Sequence, residues 1–313
     1  MKFTKSVVLA LKGCAMGMAD VVPGVSGGTI AFISGIYEEL IDSIRSVDAT
    51  ALRLLARLRL GELWRHVNGR FLLPVLTGIA IAVFSLARLM TYLLEHHPIE
   101  IWSFFFGLIV ASALLVSKQI GRWDWRTAAA LAVGAAAAWW ITVATPTETP
   151  NDWWFVMLSG AVAICAMILP GISGAFILLL LGKYQYIMQA VGDLNIPVIA
   201  IFAVGAAAGI ISFSHLLSWL LKRWHDVTVA VLMGFMVGSL NKVWPWKETV
   251  ETYTDGHGVL QPLVERNIAP GHFEALYDKP SLLAEAVLLC AAGFLAIYGI
   301  ELLARIVLKK REE

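Results

Sequence analysis

The sequence predicts an all-α polytopic membrane protein built from two inverted-topology repeats. Three observations predict this class: the composition, an internal repeat, and the distribution of positive charge between apolar segments. Of the 313 residues, 58% are hydrophobic and 15% are charged, whereas a soluble domain has about 25% charged and about 45–50% apolar residues. Most of the chain is therefore expected to lie in lipid. A net charge of +1 without a basic motif argues against a nucleic-acid partner.

The cysteines and the N-terminus carry no sign of a metal site or of a cleaved leader. Cys14, Cys165 and Cys290 lie in apolar runs, without the spacing of a metal site or a disulfide framework. We expect neither a metal nor a cofactor. The stretch MKFTKSVVLALKGC has the outline of a signal peptide, but Lys12 interrupts its apolar core. Because the segment also has a counterpart deep in the chain, we interpret it as part of the mature protein.

The internal repeat is clearest around two proline-glycine motifs. The stretch ADVVPGVSGGTIAFISGIYEEL at 19–40 returns, altered, as AMILPGISGAFILLLLGKYQYI at 166–187. The order of the matching positions is kept, and the spacing is kept within each of two groups: the offset is 147 residues around the motifs and 127 residues farther on, because a longer linker follows the first motif. Chance would not preserve both. Besides the Pro-Gly-x-Ser-Gly core, the matched pairs are Gly35 with Gly182, Tyr37 with Tyr184, Gly78 with Gly205, Ser85 with Ser212, Gly107 with Gly234, and Ser112 with Ser239.

Segment lengths divide each repeat into a broken pair and three longer helices. Spanning the hydrocarbon core takes roughly 20 apolar residues. The segments beside the two motifs are marginal or interrupted by polar residues, which favours re-entrant hairpins over full spans. The first repeat is 1–146, with a hairpin at about 6–41 and spans at about 71–94, 100–117 and 127–145. The second is 147–313, with a hairpin at about 153–191, spans at about 197–221, 227–244 and 282–308, and an external loop at 245–281.

The positive charges predict the orientation. The linker 42–70 is rich in arginine and is expected to be cytoplasmic, as are 117–126 and 222–226. The stretch 95–100 has no lysine or arginine and is expected outside. Both termini are then cytoplasmic. An odd number of spans in each half inverts the second half relative to the first, which is the architecture of secondary transporters.

The two motifs have the chemistry of an anion cradle. Proline stops the preceding helix, the glycines permit tight turns, and a serine or threonine caps the next helix. Free N–H groups at a helix start favour anions, and two such loops entering from opposite sides would meet near the membrane midplane. The alternative is that the motifs merely kink packed helices. The candidate phosphate-binding residues in the loops are Pro23, Gly24, Ser26, Gly27, Gly28, Thr29, Pro170, Gly171, Ser173 and Gly174.

Asp20 is the candidate coupling residue. It lies three residues before Pro23 in an otherwise apolar segment, where an acid is expensive and by default functional. Two roles stay open: binding a proton or coupling cation such as Na⁺, or holding the loop through backbone N–H groups. Met167 occupies the corresponding place in the second motif, so the halves differ there.

Four other polar residues are weaker candidates. Arg88 and His215 occupy matching places in the two repeats and are expected to face the cavity and pair with a phosphate. The alternative for Arg88 is snorkelling to the interface. Glu38 and Lys183 follow the two motifs closely and are expected to form rim charges or an ion pair.

The stretches GMADVVPGVSGGTIAFISGIYEEL and ILPGISGAFILLLLGKYQYI closely resemble the PopT family of bacterial membrane proteins. The resemblance covers nearly the whole chain. It implies translocation of polyprenyl phosphate, chiefly undecaprenyl phosphate, across the bacterial cytoplasmic membrane for reuse of the carrier in envelope synthesis. It also implies that Asp20 and the first motif belong to one re-entrant loop and the second motif to another. Ala175 replaces the glycine found at Gly28 of the first copy, so equal roles for the two loops are not implied.

The predicted function is therefore ion- or proton-coupled flipping of a lipid phosphate, with membrane lipids as surroundings and a homodimer left open. A small-anion channel or symporter using the same loops is the first alternative. An intramembrane enzyme needs a nucleophile with a base, and Ser26 has no histidine nearby in sequence. A scaffold protein is the third alternative, and it requires that loop mutations leave transport intact.

Overall fold

The computed structural model describes residues 3–21, 26–146, 149–254 and 260–309. The chain is mostly helical. The first half comprises α1 (Phe3–Val21), α2 (Gly27–Ile33), α3 (Tyr37–Arg45), α4 (Ala49–Ala56), α5 (Leu60–His66), α6 (Gly69–His96), α7 (Pro98–Ser117) and α8 (Trp125–Val143). The second half comprises α9 (Trp153–Ile168), α10 (Gly174–Leu180), α11 (Tyr184–Gly192), α12 (Ile196–Arg223), α13 (His225–Ser239), β1 (Lys247–Thr254), β2 (Leu260–Asn267), α14 (Pro270–Tyr277) and α15 (Leu283–Lys309).

Helices occupy all six stretches that the sequence predicts as spans. Three of them are long and apolar enough to cross a membrane within the described residues: α7, α8 and α12. The number rises to five if each of two bent helix pairs counts as one span. One of those pairs is α10 with α11, bent by 109°. Length and composition thus support a helical membrane protein, and the count of six spans remains a prediction.

The breaks inside the predicted hairpins have a backbone cause. Gly35 separates α2 from α3 at φ +70°, and Gly182 separates α10 from α11 at φ +60°. Only glycine adopts such angles without a steric penalty. Each predicted hairpin thus contains one longer helix, α1 (19 residues) or α9 (16 residues), followed by two short ones, α2 and α3 or α10 and α11.

Two parts of the fold differ from the sequence expectation. The linker 42–70 contains the short helices α4 and α5. The loop 245–281 contains two strands that the sequence did not predict, β1 and β2, which pair as an antiparallel hairpin; the chain as a whole is mostly helical, as expected. Their sequences, KETVETYT and LQPLVERN, are rich in charged and polar residues. The indole N–H of Trp244, before β1, donates to the carbonyl of Ile268, after β2 (2.9 Å), and that of Trp246 donates to the carbonyl of Ser281, before α15 (2.8 Å). These bonds connect the base of the hairpin to the start of α15.

The long helices pack in four main pairs: α1 with α6, α9 with α12, α8 with α13, and α7 with α15. Backbones touch at these contacts. A Cβ built on Gly78 of α6 would lie 2.0 Å from the carbonyl oxygen of Ala10, and one on Gly205 of α12 would lie 1.9 Å from that of Met157. Only glycine fits at either position, as is common where small residues let membrane helices approach closely.

Contacts between helix ends fall into two groups, one polar and one apolar. In one, Lys222 lies 2.9 Å from Asp42, and Asp226 accepts hydrogen bonds from the N–H groups of Gly121 (3.1 Å) and Arg122 (2.9 Å). In the other, Ile99 of α7 packs in one apolar cluster with Trp246 and Ala286. The first group joins segments that the charge pattern assigns to the cytoplasm, and the second joins segments that it assigns to the outside.

Candidate functional site

The two proline-glycine loops touch each other through three long-range hydrogen bonds. The Ser26 hydroxyl donates to the carbonyl of Met167 (2.9 Å), and the N–H of Gly171 donates to Thr29 Oγ1 (2.9 Å). The Tyr37 hydroxyl donates to the carbonyl of Ile168 at 3.2 Å. The partners lie 131 to 142 residues apart in sequence. The structure therefore brings the two motifs into direct contact.

The first loop is capped by its own acid. Asp20 Oδ1 accepts a hydrogen bond from the N–H of Gly27 (2.7 Å), and Ser26 Oγ accepts one from the N–H of Gly28 (3.1 Å). A Cβ on Gly27 would lie 2.5 Å from Asp20 Oδ2, so glycine is required for the carboxylate to reach the helix start. A carboxylate at this end of α2 also interacts favourably with the positive end of the helix dipole. Two roles were left open for Asp20. The hydrogen bond from the N–H of Gly27 is the contact expected for one of them, holding the loop through backbone N–H groups.

Lys12 completes the arrangement at the opposite end of α2. Its Nζ donates to the carbonyl of Ser34, the residue that ends the helix, at 2.6 Å. The seven residues of α2 span about 10 Å. Lys12 and Asp20 are two turns apart on α1, which is about 12 Å. We call Lys12 and Asp20 together the α2 clamp. Sequence reasoning missed the role of Lys12, although a lysine two turns before a buried acid was the signal available.

The second loop lacks such a clamp. Met167 occupies the place of Asp20, and Ser173 begins α10 without a side-chain capping hydrogen bond. Gly171 adopts φ +88°, and a Cβ there would lie 2.8 Å from the carbonyl oxygen of Phe235 on α13. Gly174 approaches α9 in the same way, 2.6 Å from the carbonyl oxygen of Ala163. The two loops are thus joined but chemically unequal, because only the first start is filled by a carboxylate.

The sequence matches a model of a known protein family. A family model described as undecaprenyl phosphate translocase-like matches residues 16–261, which include both loops. The chain belongs to this family.

Individual relatives agree with the family. A polyprenyl-phosphate transporter of Vibrio cholerae is 47% identical over 291 residues, covering 93% of this chain and 94% of the relative. A polyprenyl-phosphate transporter of Staphylococcus aureus is 34% identical over 253 residues, covering 75% of this chain and 85% of the relative. No solved structure matches. The family is one of translocases, not of enzymes.

Several predicted site residues of this family member lie away from the joined loops or outside the described part. Pro23 and Gly24 lie outside the described residues, and Arg88 lies on α6 with its side chain likewise outside them. His215 is exposed on α12, its Nδ1 2.8 Å from the carbonyl oxygen of Ile211 one turn earlier. Pro170 lies in the turn between α9 and α10 and is buried.

The expected rim charges, Glu38 and Lys183, behave differently from each other. Glu38 is exposed and lies 3.4 Å from Nε2 of His225. Lys183 is 1% exposed, so the expectation of a rim charge there was wrong. Its Nζ donates to the carbonyl of Thr149 (2.6 Å) and to Oδ1 of Asn151 (2.7 Å), which ties the segment before α9 to the turn after α10. Among the described residues, Lys183 and Glu38 form no ion pair with each other.

Proposed function

We propose that this protein carries a polyprenyl phosphate, chiefly undecaprenyl phosphate, across the bacterial cytoplasmic membrane, so that the lipid carrier can be used again in envelope synthesis. The printed names of two relatives, both polyprenyl-phosphate transporters, support the substrate class. The observation that carries the mechanism is the direct contact of the two loops through Ser26, Thr29 and Tyr37. Irregular backbone at membrane depth is tolerated only where protein encloses it or a watered cavity meets it.

The proposed architecture is a pair of inverted repeats, 1–146 and 147–313. Equivalent helices make equivalent contacts: α1 packs on α6 as α9 packs on α12, and α8 packs on α13 as α15 packs on α7. The glycines Gly35 and Gly182 break the two hairpins with similar φ angles. Gly78 and Gly205 meet backbone carbonyls at equivalent contacts. These correspondences support the repeat that the sequence predicts.

The proposed orientation places both termini in the cytoplasm. The group of contacts around Asp42, Lys222 and Asp226 joins three segments that the arginine and lysine pattern assigns to that side. The bonds from Lys183 to Thr149 and Asn151 join the turn after α10 to the segment before the second proposed hairpin, and the proposed topology puts both on the opposite side. Segments that touch must lie on the same side of the bilayer, so these contacts are consistent with the proposed orientation.

In the proposed mechanism, the two loops form the phosphate site and the prenyl tail stays in the bilayer. Ser26 is 1% exposed, Thr29 0% and Ser173 7%, so the loops are closed on each other in this conformation. Admitting a headgroup therefore requires the halves to move relative to each other, as in alternating access. Gly27, Gly28 and Gly174 are buried as well, so their backbone would meet the headgroup only after this movement, and Arg88 and His215 are proposed to meet the phosphate as the lipid passes.

Asp20 is proposed to couple this cycle to an ion, H⁺ or Na⁺, in addition to capping α2. The variant Asp20→Asn separates the two roles, because an asparagine Oδ1 still accepts the hydrogen bond from the N–H of Gly27 but carries no titrating carboxylate. We expect Asp20→Asn to keep the fold and to lose the dependence of transport on a pH or Na⁺ gradient. Retained gradient dependence would leave Asp20 with the capping role alone.

The test of the function is translocation of undecaprenyl phosphate in proteoliposomes. We expect the wild type to move the lipid and the double variant Ser26→Ala/Ser173→Ala to be strongly impaired. Ser212→Ala is the matched control, since that exposed hydroxyl bonds only within its own helix, to Ala208 at 2.6 Å. A wild type that passes inorganic phosphate but no lipid would replace the proposal with the small-anion channel or symporter. Normal transport by the double variant would remove the loops from the mechanism.

A further inference from the structure

A cationic cavity lies beneath the β-hairpin, away from the joined loops. It has a volume of about 390 Å³. Its polar wall comes from the hairpin and the end of α13, and its apolar wall from the ends of α8 and α10. We call it the hairpin pocket. The residues used below are Lys242, Lys247, Glu265, Phe176, Trp139 and Asn241.

The charges of the hairpin pocket do not balance. Lys242 Nζ lies 2.8 Å from Glu265 Oε2, and Lys247 Nζ lies 3.3 Å from the same oxygen. Two ammonium groups therefore share one carboxylate, and Arg266 also lines the pocket, so the lining has three cations and one anion. The side chains of Lys242, Lys247 and Glu265 are only 18%, 9% and 20% exposed. A partly buried excess charge is costly unless another charge compensates it.

Lys242 has donors to spare. An ammonium has three N–H groups, and the hydrogen bond of Lys242 to Glu265 uses one of them. Its Nζ also lies 4.9 Å from the centre of the Phe176 ring, in the first turn of α10. Lys247 is held more fully, by the carbonyl of Lys242 at 2.7 Å and by the ring of Trp102 at 4.6 Å. Lys242 is thus the cation best placed to meet an anion, and it stands beside the helix that follows the second loop.

Burial shifts the pKa of the second lysine. It lowers the pKa of Lys247 to about 8, and the charge of Lys242 acts in the same direction while that of Glu265 opposes it. An anion entering the pocket would add to the effect of Glu265 and favour the protonated form of Lys247.

An apolar groove adjoins the hairpin pocket. Its volume is about 520 Å³, and Phe106, Ala135 and Val237 contribute to its lining. Trp139, Asn241 and Asn267 line both cavities, so the two are adjacent and share a wall. Hydrogen bonds hold the polar part of this wall, because Asn241 donates to Thr142 Oγ1 (2.8 Å) and Asn267 donates to the carbonyl of Asn241 (2.8 Å). A cationic pocket beside an apolar groove matches a ligand with an anionic head and a hydrocarbon tail.

We propose that the hairpin pocket and the groove bind a polyprenyl phosphate, with its phosphate on Lys242 and Lys247 and the first isoprene units along the groove between α8 and α13. This inference rests on the proposed function and adds a second lipid-phosphate site to it. By the charge pattern, this site lies on the external side, where it would receive the lipid before the headgroup reaches the joined loops. Glu265 competes with the phosphate for both lysines.

Binding is measured with the full chain in nanodiscs at mildly acidic pH, below the pKa of Lys247, with undecaprenyl phosphate, undecaprenol and inorganic phosphate as probes. We expect Lys242→Gln to weaken binding of the lipid phosphate by about tenfold, the loss of one charged hydrogen bond, and Lys242→Arg to restore it. Glu265→Gln is expected to strengthen binding several-fold, because it removes the competing carboxylate. A residue with a purely structural role would not produce that gain.

The remaining variants distinguish binding of the phosphate headgroup from binding of the prenyl tail. Trp139→Ala should weaken binding of the lipid phosphate and leave that of inorganic phosphate unchanged. Lys222→Gln is the matched control, an exposed lysine paired with Asp42 on the opposite side, and should bind as the wild type does. Wild-type affinity in both Lys242→Gln and Glu265→Gln would overturn the site. Equal affinity for inorganic phosphate and the lipid would overturn the role of the groove.

Translocation is measured on the same preparations. If the wild type moves the lipid while the pocket variants bind it normally, the second site fails and the proposed function stands. If the wild type neither binds nor moves the lipid, the proposed function itself fails.

Discussion

The hydrogen bond between the loops can be tested at Thr29. This side chain is fully buried, and its Oγ1 accepts the N–H of Gly171 at 2.9 Å. Thr29→Val keeps the shape of the side chain but removes the acceptor, so the donor of Gly171 is left buried and unpaired. Such a donor costs about 1–3 kcal/mol, which changes the unfolding equilibrium constant by a factor of roughly 5 to 150.

The matched control is Thr228→Val on α13. Thr228 is also buried, but its hydroxyl donates to the carbonyl of Trp224 in its own helix at 2.9 Å. That carbonyl keeps the backbone hydrogen bond from the N–H of Thr228, so no group is left unpaired. We therefore expect Thr228→Val to cost less than about 1 kcal/mol.

The assay is reversible unfolding in mixed micelles, together with hydrogen exchange at the amide of Gly171. Thr29→Val should be the more destabilised of the two variants, and the amide of Gly171 should lose protection. Two results together would refute the reasoning: free energies of unfolding within about 0.5 kcal/mol of each other, which is the ordinary range of neutral substitutions, and unchanged protection at Gly171.

Two further predictions concern helix packing and pH. Gly78→Ala and Gly205→Ala should each destabilise the protein by about 1–3 kcal/mol, because a Cβ would lie 2.0 Å and 1.9 Å from facing carbonyl oxygens. The control is Gly192→Ala, since a Cβ at Gly192 would lie in open space. A small effect at either Gly78 or Gly205 would weaken the proposed equivalence of the two contacts. The N–H of Ala51 and then His66 lower the pKa of Asp48 to about 2, so this cap stabilises α4 above about pH 4 and is lost as the pH falls through about 2. Hydrogen-exchange protection of α4 should follow that profile in the wild type and be flat in Asp48→Ala; a wild-type profile without the change would contradict the assignment.

The sequence predicts the long helices well because those depend on local chemistry. Apolar runs fix the positions of α6, α7, α8 and α12, whereas Gly35 and Gly182 were matched as repeat positions and the turns that they form were not predicted. These features require only that the chain satisfy its backbone in lipid and that glycine adopt positive φ.

Contacts between distant segments were beyond the same reasoning. Nothing near Ser26 in sequence indicates that its hydroxyl meets the carbonyl of Met167. Lys183 reads as a rim charge beside its motif, but the segment at Thr149 and Asn151 folds over it and supplies its acceptors. The strands β1 and β2 were missed for another reason, since their many charges obscure the alternation typical of a strand.

The long-range bonds between the loops also set a condition on how the chain is made. Ser26 and its partner Met167 are 141 residues apart, so a ribosome adding about 5–20 residues per second needs on the order of ten seconds to deliver the second after the first. During that interval the first hairpin has its internal clamp, Lys12 and Asp20, but not the acceptors and donors of the second half. The clamp therefore connects α1 to both ends of α2 before the second half of the chain has been synthesised.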